Sequence, residues 1–553
     1  MRGNGLSRGV IIGSLALFLL QSCDWEVGNS AYREVSYAPA GKQAIVINIG
    51  LEPESLDPQM TNGVSEISVL KTLFEGLVQT DTNGTVIPGV AQSWEQKDYE
   101  VWTFHLRKDA RWSDGAPVTA HDFVYSWRRL ISPKTASPVT SALTDVAVTN
   151  AKEIVAGKKA VEELGIKALD DYTLEVTLEK PVPFFLATLD SPALYALPHD
   201  AIERYGNHWT QAEYMNNNGP YRLRAWHVNN GIEVVRNPFY WDNKNTRNEK
   251  LIFLPIVSKM GDVINYMSGN EDISYMTLPS EIFLKLKKHY PNELHVGPFA
   301  CVDFYDMNLK KPPFNDRRVR LALSMTMPRR IIVDSVLAQG QEVDYTATPY
   351  FINHFQRLQP EWAKWTSQKK DREAKRLLKE AGYSKSNPLK FELLYNTSEQ
   401  HRSVAITAIT QWAKRLGVVR VTLNNMEWKT YLDAMRLGNF TMIRRGNCTS
   451  YNEPSVFLLA NLSDSPDNYD GYHNPKYDAV IHSVFDKDID EATLTSRYVE
   501  AEKILLEDAP IIPIYSYVQT RLVKKYVKGF RMGLFDNLKL NHLWLDYGTS
   551  TTH

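Results

Sequence analysis

The sequence predicts a mixed α/β protein with two or three domains. Short β-branched runs alternate with segments of helical spacing along most of the chain, and this alternation indicates mixed architecture. No repeat of 20–50 residues occurs, so a solenoid is excluded. A chain of 553 residues is too long for a single hydrophobic core, so two or three domains are expected. Its 43% hydrophobic and 23% charged residues are typical of a globular protein.

Two strands and two turns are predicted between residues 44 and 115. Residues 44–49 (AIVINI) form a β-branched run typical of a buried strand, and Val101–Leu106 alternates between apolar and polar positions. Residues 81–84 (DTNG) and 112–115 (WSDG) carry the Asp, Asn and Gly that turns prefer.

Three helices follow from apolar spacing and end signals. Residues 66–77 and 120–130 place apolar side chains three and four positions apart. Asp122 lies in the first turn of the second of these helices, where its charge suits the helix dipole. Residues 374–381 (AKRLLKEA) end at Gly382, a common helix stop.

The N-terminus carries an export signal. Arg2 and Arg8 precede an uncharged apolar run at 9–20, which rises about 18 Å as a helix, too short for a ~30 Å hydrocarbon core. The following Leu-Gln-Ser-Cys resembles a bacterial lipobox, in which Cys23 is lipidated and becomes the mature N-terminus. An ordinary signal peptide with an incidental cysteine is the alternative.

The predicted processing divides the N-terminal region in two. Residues 1–22 are the lipoprotein signal peptide, and the polar residues 23–42 are a tether between the lipid and the fold. Asp24 resembles the inner-membrane retention signal of enterobacterial lipoproteins. We therefore expect a periplasmic protein that an N-terminal lipid anchors to a membrane, with the inner membrane favoured.

Charge and cysteine content exclude several classes of partner. The chain has 63 basic and 64 acidic residues, and loss of residues 1–22 removes two arginines and no acid, which leaves 61 against 64. This balance excludes a bulk basic footprint for nucleic acid. Beyond Cys23 only Cys301 and Cys448 remain. They form either a disulfide or two buried thiols, and neither has a second ligand at metal-binding spacing.

No catalytic motif occurs in the chain. It lacks a Gly-x-Ser-x-Gly elbow, His-Glu-x-x-His, a phosphate-binding glycine loop and Cys-x-x-Cys. The 13 Trp and 28 Tyr supply large apolar faces with polar tips, which suit a binding cleft. We therefore expect a binding protein without enzymatic activity, cofactor or metal.

A long motif identifies the family. Residues 88–127 read PGVAQSWEQKDYEVWTFHLRKDARWSDGAPVTAHDFVYSW and closely resemble the signature of the periplasmic oligopeptide-binding proteins, the solute receptors of peptide-type ABC importers (extracellular family 5). Further matches extend the resemblance over residues 43–548: SLDP at 55–58, LFEGL at 73–77, NGPY at 218–221, RNP at 236–238, PFNDRRVR at 313–320, EWKTYL at 427–432 and YNEP at 451–454.

The resemblance implies an α/β, two-lobed periplasmic-binding-protein fold with a hinge and an additional third domain. Such lobes close over a ligand and exclude water. The expected partners are a peptide or peptide-like ligand, an ABC permease with its ATPase, and the membrane through the lipid; the receptor is expected to be a monomer. Lobe I comprises residues 43–74, 199–300 and 520–553, the additional domain II residues 75–198, and lobe III residues 301–519.

The family's ligand-anchoring residues are changed in this chain. Oligopeptide receptors hold the peptide's α-amine with an aspartate in Gly-Trp-Cys-Ala-Asp-Tyr-Asn-Glu, where this sequence has Ser450, and Asn447 replaces the tryptophan. Asn62 replaces a family glutamate. Leu337 and Met435 fall at cation positions, although Arg436 adjoins the latter. Asp306 stands conservatively in place of a family glutamate. The remaining positions that match the family's ligand site are Gly63, Val64, Tyr275, His401, Trp428, Arg444, Gly446 and Tyr517.

These changes predict an altered ligand. Loss of both acids leaves a buried ammonium group without an anionic partner, so the ligand differs, or another acid such as Glu453 takes over, or selection on the site is relaxed. Arg444 is then expected to pair with an anionic group of the ligand. The resemblance also implies a disulfide between Cys301 and Cys448.

Two alternatives to a peptide receptor remain. One is a receptor for a murein peptide, haem or an amphipathic metabolite. The other is a signalling or chaperone-like lipoprotein of the same fold that does not serve a transporter.

Overall fold

Three sheets of four or more strands organise the part of the chain that the structure, a computed structural model, describes: residues 36–61, 63–536 and 538–548. The predicted signal peptide, Cys23 and Asn62 lie outside the described residues. Residues Glu34–His553 form one compact unit.

The N-terminal sheet combines the first predicted strand with later parts of the chain. Its order is Ala44–Asn48, Lys250–Leu254, Gly231–Arg236 and Tyr221–His227. The first pair is parallel and the others are antiparallel. The β-branched run thus forms a strand as predicted, one residue shorter at its end.

A second sheet is an antiparallel meander. Its order is Ala91–Lys97, Val101–Leu106, Thr173–Thr177 and Ile166–Asp170. The second strand has the predicted bounds, and its alternate side chains are buried, as the period of a strand requires.

The large sheet has six strands. Its order is Glu342–Val343, Ile511–Leu522, Leu294–Met307, Met442–Cys448, Leu389–Asn396 and Val419–Met426. Neighbouring strands among the first four are antiparallel, and the last three strands are parallel. Two short pairs complete the strands: Val78–Thr80 with Val86–Pro88, and Val527–Lys528 with Trp544–Leu545.

Helices connect and cover the sheets. Those of seven or more residues are Val64–Leu73, Ala120–Ile131, His199–Tyr205, Lys259–Met267, Ser280–His289, Arg317–Thr326, Ser367–Glu380, Glu399–Leu416, Trp428–Arg436, Pro475–His482 and Glu491–Asp508. Shorter ones are Ser141–Thr144, Ala151–Val155, Phe185–Thr188, Arg329–Ile331 and Ser455–Leu459, and Ile332–Leu337 is a π-helix.

The predicted helix over residues 66–77 is wrong at both ends. The helix spans Val64–Leu73, and Phe74 takes an extended conformation. The carbonyl of Leu73 accepts from the backbone N–H of Gly219 at 2.8 Å, and the backbone N–H of Glu75 donates to the Asn218 side chain at 3.0 Å. These bonds to a distant segment replace those that would have continued the helix.

The other predicted local elements are confirmed. Gly84 N–H donates to Asp81 O at 3.0 Å, and Gly115 N–H donates to Trp112 O at 2.9 Å, which closes both turns. The helix predicted at 120–130 ends one residue later. The helix predicted at 374–381 begins earlier, at Ser367, where the Thr366 side chain caps it. Its first half is polar and shows no apolar spacing, so the sequence pattern did not indicate it.

Apolar clusters follow the sheets. One cluster joins the N-terminal sheet and the meander through residues such as Ile45 and Phe104. Two others lie on opposite faces of the large sheet, where neighbouring Phe304 and Tyr305 point to different clusters. This alternation decides which side chains of the large sheet meet.

The sheets fall mostly within the predicted domains. The N-terminal sheet consists of lobe I residues and the meander of domain II residues. Two strands of the large sheet, Leu294–Met307 and Ile511–Leu522, run across the predicted boundaries at 300 and 519. The division into these domains stays a prediction.

Candidate ligand-binding site

Two central strands of the large sheet carry most of the candidate site. Met442–Cys448 pairs antiparallel with Leu294–Met307, and Cys301 lies directly opposite Cys448. The two cysteines form a disulfide, as the family resemblance implies. The bond holds the end of the strand that carries Gly446 and Asn447.

Arg444 lies in a buried ion pair. Its Nε donates to Asp303 Oδ2 at 2.8 Å, its Nη2 donates to Asp303 and Tyr517, and the Tyr517 hydroxyl donates to the same carboxylate at 2.9 Å. Arg444 is 8% exposed and Asp303 1%. Gly446 faces Asp303 across the ladder, and a side chain there would lie 3.2 Å from the guanidinium.

The expectation that Arg444 pairs with a ligand anion stays a prediction, and the structure shows that Arg444 already has an acidic partner. Burial disfavours the guanidinium charge, but Asp303 more than compensates and raises the pKa of Arg444. For Tyr517 burial acts in the opposite direction: it raises the pKa and keeps the hydroxyl protonated. The positive charge of Arg444 is therefore compensated by an acid of the same sheet. Arg444, Asp303 and Tyr517 form a cluster without net charge, which we call the Arg444 cluster.

His401 lies near the ion pair as a neutral group. It lies in the first turn of the helix Glu399–Leu416, where its backbone N–H donates to the Ser398 hydroxyl at 3.4 Å. Burial and then Arg444 lower the pKa of His401 to about 4. Its Nδ1 is buried and has no hydrogen-bond partner among the described residues. An imidazole nitrogen in this state can bond a ligand group without adding charge.

Trp428 offers an exposed aromatic surface. It is 54% exposed and stacks on Tyr431, with ring centroids 5.7 Å apart and planes 16° from parallel. The Tyr431 hydroxyl donates to the carbonyl of Arg444. The stack is thereby fixed to the strand that carries the ion pair.

Asp306 belongs to a different charge cluster. It is fully buried, pairs with Arg445 at 2.7 Å and neighbours the carboxyl of Asp470. Burial raises the pKa of both carboxyls. Since Arg444 and Arg445 are successive strand residues, their side chains leave opposite faces of the sheet. The structure therefore does not bring Asp306 to the Arg444 cluster.

The remaining predicted positions are dispersed. Ser450 is exposed, and Gly63 precedes Val64, the first residue of the helix Val64–Leu73. Tyr275 is half-buried, and its backbone N–H donates to both oxygens of the Asp262 carboxylate at 3.3 Å. The structure describes no contact between these positions and the Arg444 cluster.

Leu337 and Met435 differ in their surroundings. Leu337 is 2% exposed and lies within the core of the large sheet. Met435 is half-buried against the cluster around Phe440. Arg436 is exposed, and its nearest acid is Asp433 at 3.9 Å.

Glu453 is enclosed by other side chains. It is 6% exposed, and its Oε1 lies 3.3 Å from His354 Nε2. Burial, with a contribution from Glu491, raises the pKa of Glu453 to about 8. At neutral pH the carboxyl is mostly protonated, which makes it a poor anionic partner for an ammonium group.

Comparison with known proteins identifies the family. A model described as bacterial extracellular solute-binding proteins, family 5 Middle, matches residues 85–494. The chain belongs to this family. It is 47% identical over 507 residues to the periplasmic oligopeptide-binding protein OppA of Salmonella typhimurium, a match that covers 92% of this chain and 93% of that one.

Two solved structures of family 5 proteins extend the comparison. The unliganded open form of the murein tripeptide binding protein MppA matches with a TM-score of 0.84 at 38% identity, over 93% of this chain and 98% of the other. Haemophilus influenzae OppA in complex with the peptide RPPGFSPFR matches with a TM-score of 0.74 at 42% identity, over 92% and 99%. The predicted α/β fold with two lobes and a third domain is confirmed.

Membership in family 5 confirms that the chain is a solute-binding protein and not an enzyme. Within the described ranges, no group of three or more His, Cys, Asp or Glu side chains could hold a metal ion. No helix in the described part of the chain combines the length and the apolar character needed to cross a bilayer.

Three side chains near the site were not predicted. Asp303 is the partner of Arg444, Tyr431 fixes the aromatic stack, and Glu66 is buried beside Gly63, where its Oε1 accepts from the backbone N–H of Glu54 at 2.9 Å. Asp303 lies 141 residues from Arg444 along the chain. Only the strand register brings them together, and a single sequence gives no signal for it.

Proposed function

We propose that this family 5 protein is a periplasmic receptor that captures peptides or peptide-like ligands by lobe closure and delivers them to an ABC permease and its ATPase. The names of its relatives support this, since proteins 47% and 42% identical to it are called oligopeptide-binding or were solved with a peptide. The structural observation that most supports the proposal is an open strand edge.

The strand Met442–Cys448 has an unpaired edge. On one side it pairs with Leu294–Met307 along its length, but on the other side its pairing to Leu389–Asn396 covers only Met442 and Ile443. The Arg444 carbonyl accepts from the Tyr431 hydroxyl, and residues 445–448 have no partner strand on that side among the described residues, so they offer backbone groups along that edge. An extended peptide can add to such an edge as a further strand, and its backbone then supplies binding that does not depend on sequence.

The side chains around this edge favour neutral ligands. The Arg444 charge is compensated by Asp303, His401 is neutral and Trp428 contributes an exposed ring. Asn447 and Ser450 supply neutral polar groups. Recognition in such a site depends on backbone bonds and aromatic contact more than on ligand charge.

Closure requires a hinge, and two paired strands are suited to it. Leu294–Met307 and Ile511–Leu522 lie side by side where they cross the proposed lobe boundaries. Their register shifts between Pro298 and Val302. Such an irregularity interrupts the ladder and permits bending. We propose that this segment is the hinge.

The comparisons support an open arrangement of the lobes. The TM-score is higher with the unliganded open form than with the peptide complex, although the complex has the higher sequence identity. A murein tripeptide is a second candidate ligand, because the protein in that open form is a murein tripeptide binding protein.

We also propose that Cys23 is lipidated and that Asp24 keeps the receptor at the inner membrane. The support is the sequence motif that ends at Cys23. Replacement of Cys23 by Ala should release or misprocess the protein in membrane fractionation. Unchanged processing and membrane association of this variant would refute lipidation without bearing on ligand binding.

Native mass spectrometry of the purified protein tests the proposed function. We expect a co-purified peptide-like ligand, and binding about ten-fold weaker in Trp428→Ala, since exposed aromatic anchors commonly contribute on that scale. Trp365, a half-buried surface aromatic that stacks with Lys369, provides the matched control, and Trp365→Ala should bind normally. Equal losses in both variants, or no affinity for any peptide, would contradict the proposal.

A further inference from the structure

A second charged region lies on the N-terminal sheet, away from the candidate site. Basic side chains line a surface depression of about 890 Å³ there, and Glu249 is the one acid in its lining within the described residues. We name this region the basic face; its basic residues are Arg222, Arg224, Arg236, Arg247 and Lys250. The balanced charge of the whole chain makes this a local excess.

Ion pairs compensate only part of this charge. Arg236 pairs with Glu249 at 2.8 Å, and Lys250 pairs with Glu233 at 2.8 Å. Arg222 and Arg224 are exposed and have no ion-pair partner among the described residues. Both line the same depression on the strand Tyr221–His227, although the register of this strand shifts between Leu223 and Ala225.

Aromatic side chains border the basic face. The guanidinium of Arg247 lies 3.4 Å from the ring centroid of Trp544. Tyr547 also lines the depression and is 54% exposed, while Tyr37, which is 56% exposed, packs against Gly548. Tyrosine and tryptophan beside arginine are typical of surfaces that meet the headgroup region of a bilayer.

The chain enters the fold at this region. Gln43 lines the depression, and the first strand begins with Ala44 paired to Lys250. The Tyr547 hydroxyl donates to the carbonyl of Lys42 at 2.5 Å, which fixes the entering segment. Cys23 is 20 residues before Gln43 in the sequence, and a chain of that length reaches at most about 70 Å when fully extended. An anchor at Cys23 would hold the basic face within that distance of the membrane.

We propose that the basic face binds the anionic headgroups of phospholipids and orients the receptor on the membrane. Arginine binds phosphate oxygens with two parallel hydrogen bonds, and the exposed tyrosines fit the interfacial layer. A lipid chain combined with a basic surface holds a protein more firmly than either alone. The inference goes beyond ligand capture and does not depend on which ligand is bound.

Vesicle flotation tests the proposal with the unacylated chain from residue 24 onward, which contains the whole compact unit Glu34–His553. We expect binding to phosphatidylglycerol vesicles and little binding to phosphatidylcholine vesicles. Arg222→Gln with Arg224→Gln should weaken binding roughly 20- to 30-fold, since each basic residue near an anionic surface contributes about five-fold. Binding should also fall as salt approaches 1 M.

The matched control changes an equal charge elsewhere. Lys375 and Lys379 are exposed on the helix Ser367–Glu380, and their double replacement by Gln should leave vesicle binding unchanged. If both double variants lose vesicle binding equally, the effect depends only on net charge and the proposal is overturned. Unaltered thermal unfolding of both variants excludes misfolding.

Two further results would overturn the proposal. One is absence of binding to phosphatidylglycerol vesicles. The other is binding only when the vesicles contain the permease, which would assign the basic face to the transporter instead of lipid. Peptide binding measured on the same variants should be unchanged, so a failure here is distinguishable from a failure of the proposed receptor function.

Discussion

Arginine has opposite surroundings in the two regions that matter most in this molecule. Arg444 is buried and shares its charge with Asp303, whereas Arg222 and Arg224 are exposed without an ion-pair partner among the described residues. A compensated charge in a dry site contributes to structure and leaves recognition to shape and backbone bonds. An uncompensated charge on a surface acts over about a Debye length and suits an extended anionic partner.

The largest effect should follow from breaking the buried pair. Asp303→Ala leaves the guanidinium of Arg444 buried without an anion, and we expect a loss of about 3–5 kcal/mol in the free energy of unfolding. Chemical denaturation measures this loss. The matched control is the surface pair of Arg236 with Glu249, whose acid side chain is 72% exposed. Glu249→Gln should cost less than about 1 kcal/mol. If the two variants lose similar amounts of unfolding free energy, the contrast between the buried and the exposed arginine pair is wrong.

Loss of the disulfide should have the next largest effect. The bond closes a loop of 147 residues and joins the two strands that carry the Arg444 cluster. Replacement of both cysteines by Ser should lower the free energy of unfolding by about 2–4 kcal/mol. Peptide affinity should fall as well, while vesicle binding by the basic face should not. Free-thiol labelling of the native chain provides the check, and two reactive thiols in oxidising medium would count against the bond.

A third prediction concerns pH and the enclosed carboxyl of Glu453. The folded chain holds this proton up to about pH 8, whereas the unfolded chain loses it near the ordinary value of 4.5. Between these values the unfolded state alone releases the proton, so rising pH stabilises the unfolded state and the free energy of unfolding falls.

Glu453→Gln removes this titration. The free energy of unfolding of the variant relative to the unaltered chain should rise by a few kcal/mol from pH 5 to pH 8. Denaturation curves at several pH values measure the difference. Parallel pH profiles for the two proteins would mean that Glu453 is ionised in the fold and could still serve as the anion for a ligand amine.

The sequence was sufficient where local pattern and structure agree. Val101–Leu106 has its predicted bounds because apolar alternation matches the burial of a strand with one face covered. The helix predicted at 66–77 was too long at its end. Leu77 is buried as its spacing indicates, but the backbone at Leu73 and Glu75 bonds to residues 217–219 instead of continuing the helix. The spacing of apolar residues indicates which side chains are buried. It identifies a helix only where the backbone hydrogen bonds are local.

The candidate site could be predicted only in part. Family resemblance identified Arg444 and Tyr517, which the structure brings together, and the disulfide. It did not reveal that Arg444 is already paired, because Asp303 becomes its neighbour only through the register of the large sheet. It also grouped Asp306 with the site, although Asp306 pairs with Arg445 instead. The face of the sheet to which a side chain points has to come from the structure.

Calorimetric titration with matched peptides, free and N-acetylated at the amine, tests the central claim most directly. A neutral site offers the ammonium about 1 kcal/mol per hydrogen bond, against about 1.5–3 for bonds to charged groups. We expect free and acetylated peptides to differ by less than about five-fold in affinity for the unaltered chain. Ser450→Asp combined with Asn62→Glu should restore a preference of at least about ten-fold for the free amine. A strong preference in the unaltered chain, lost on acetylation, would mean that an anion anchors the ligand and that the account of a neutral site is wrong.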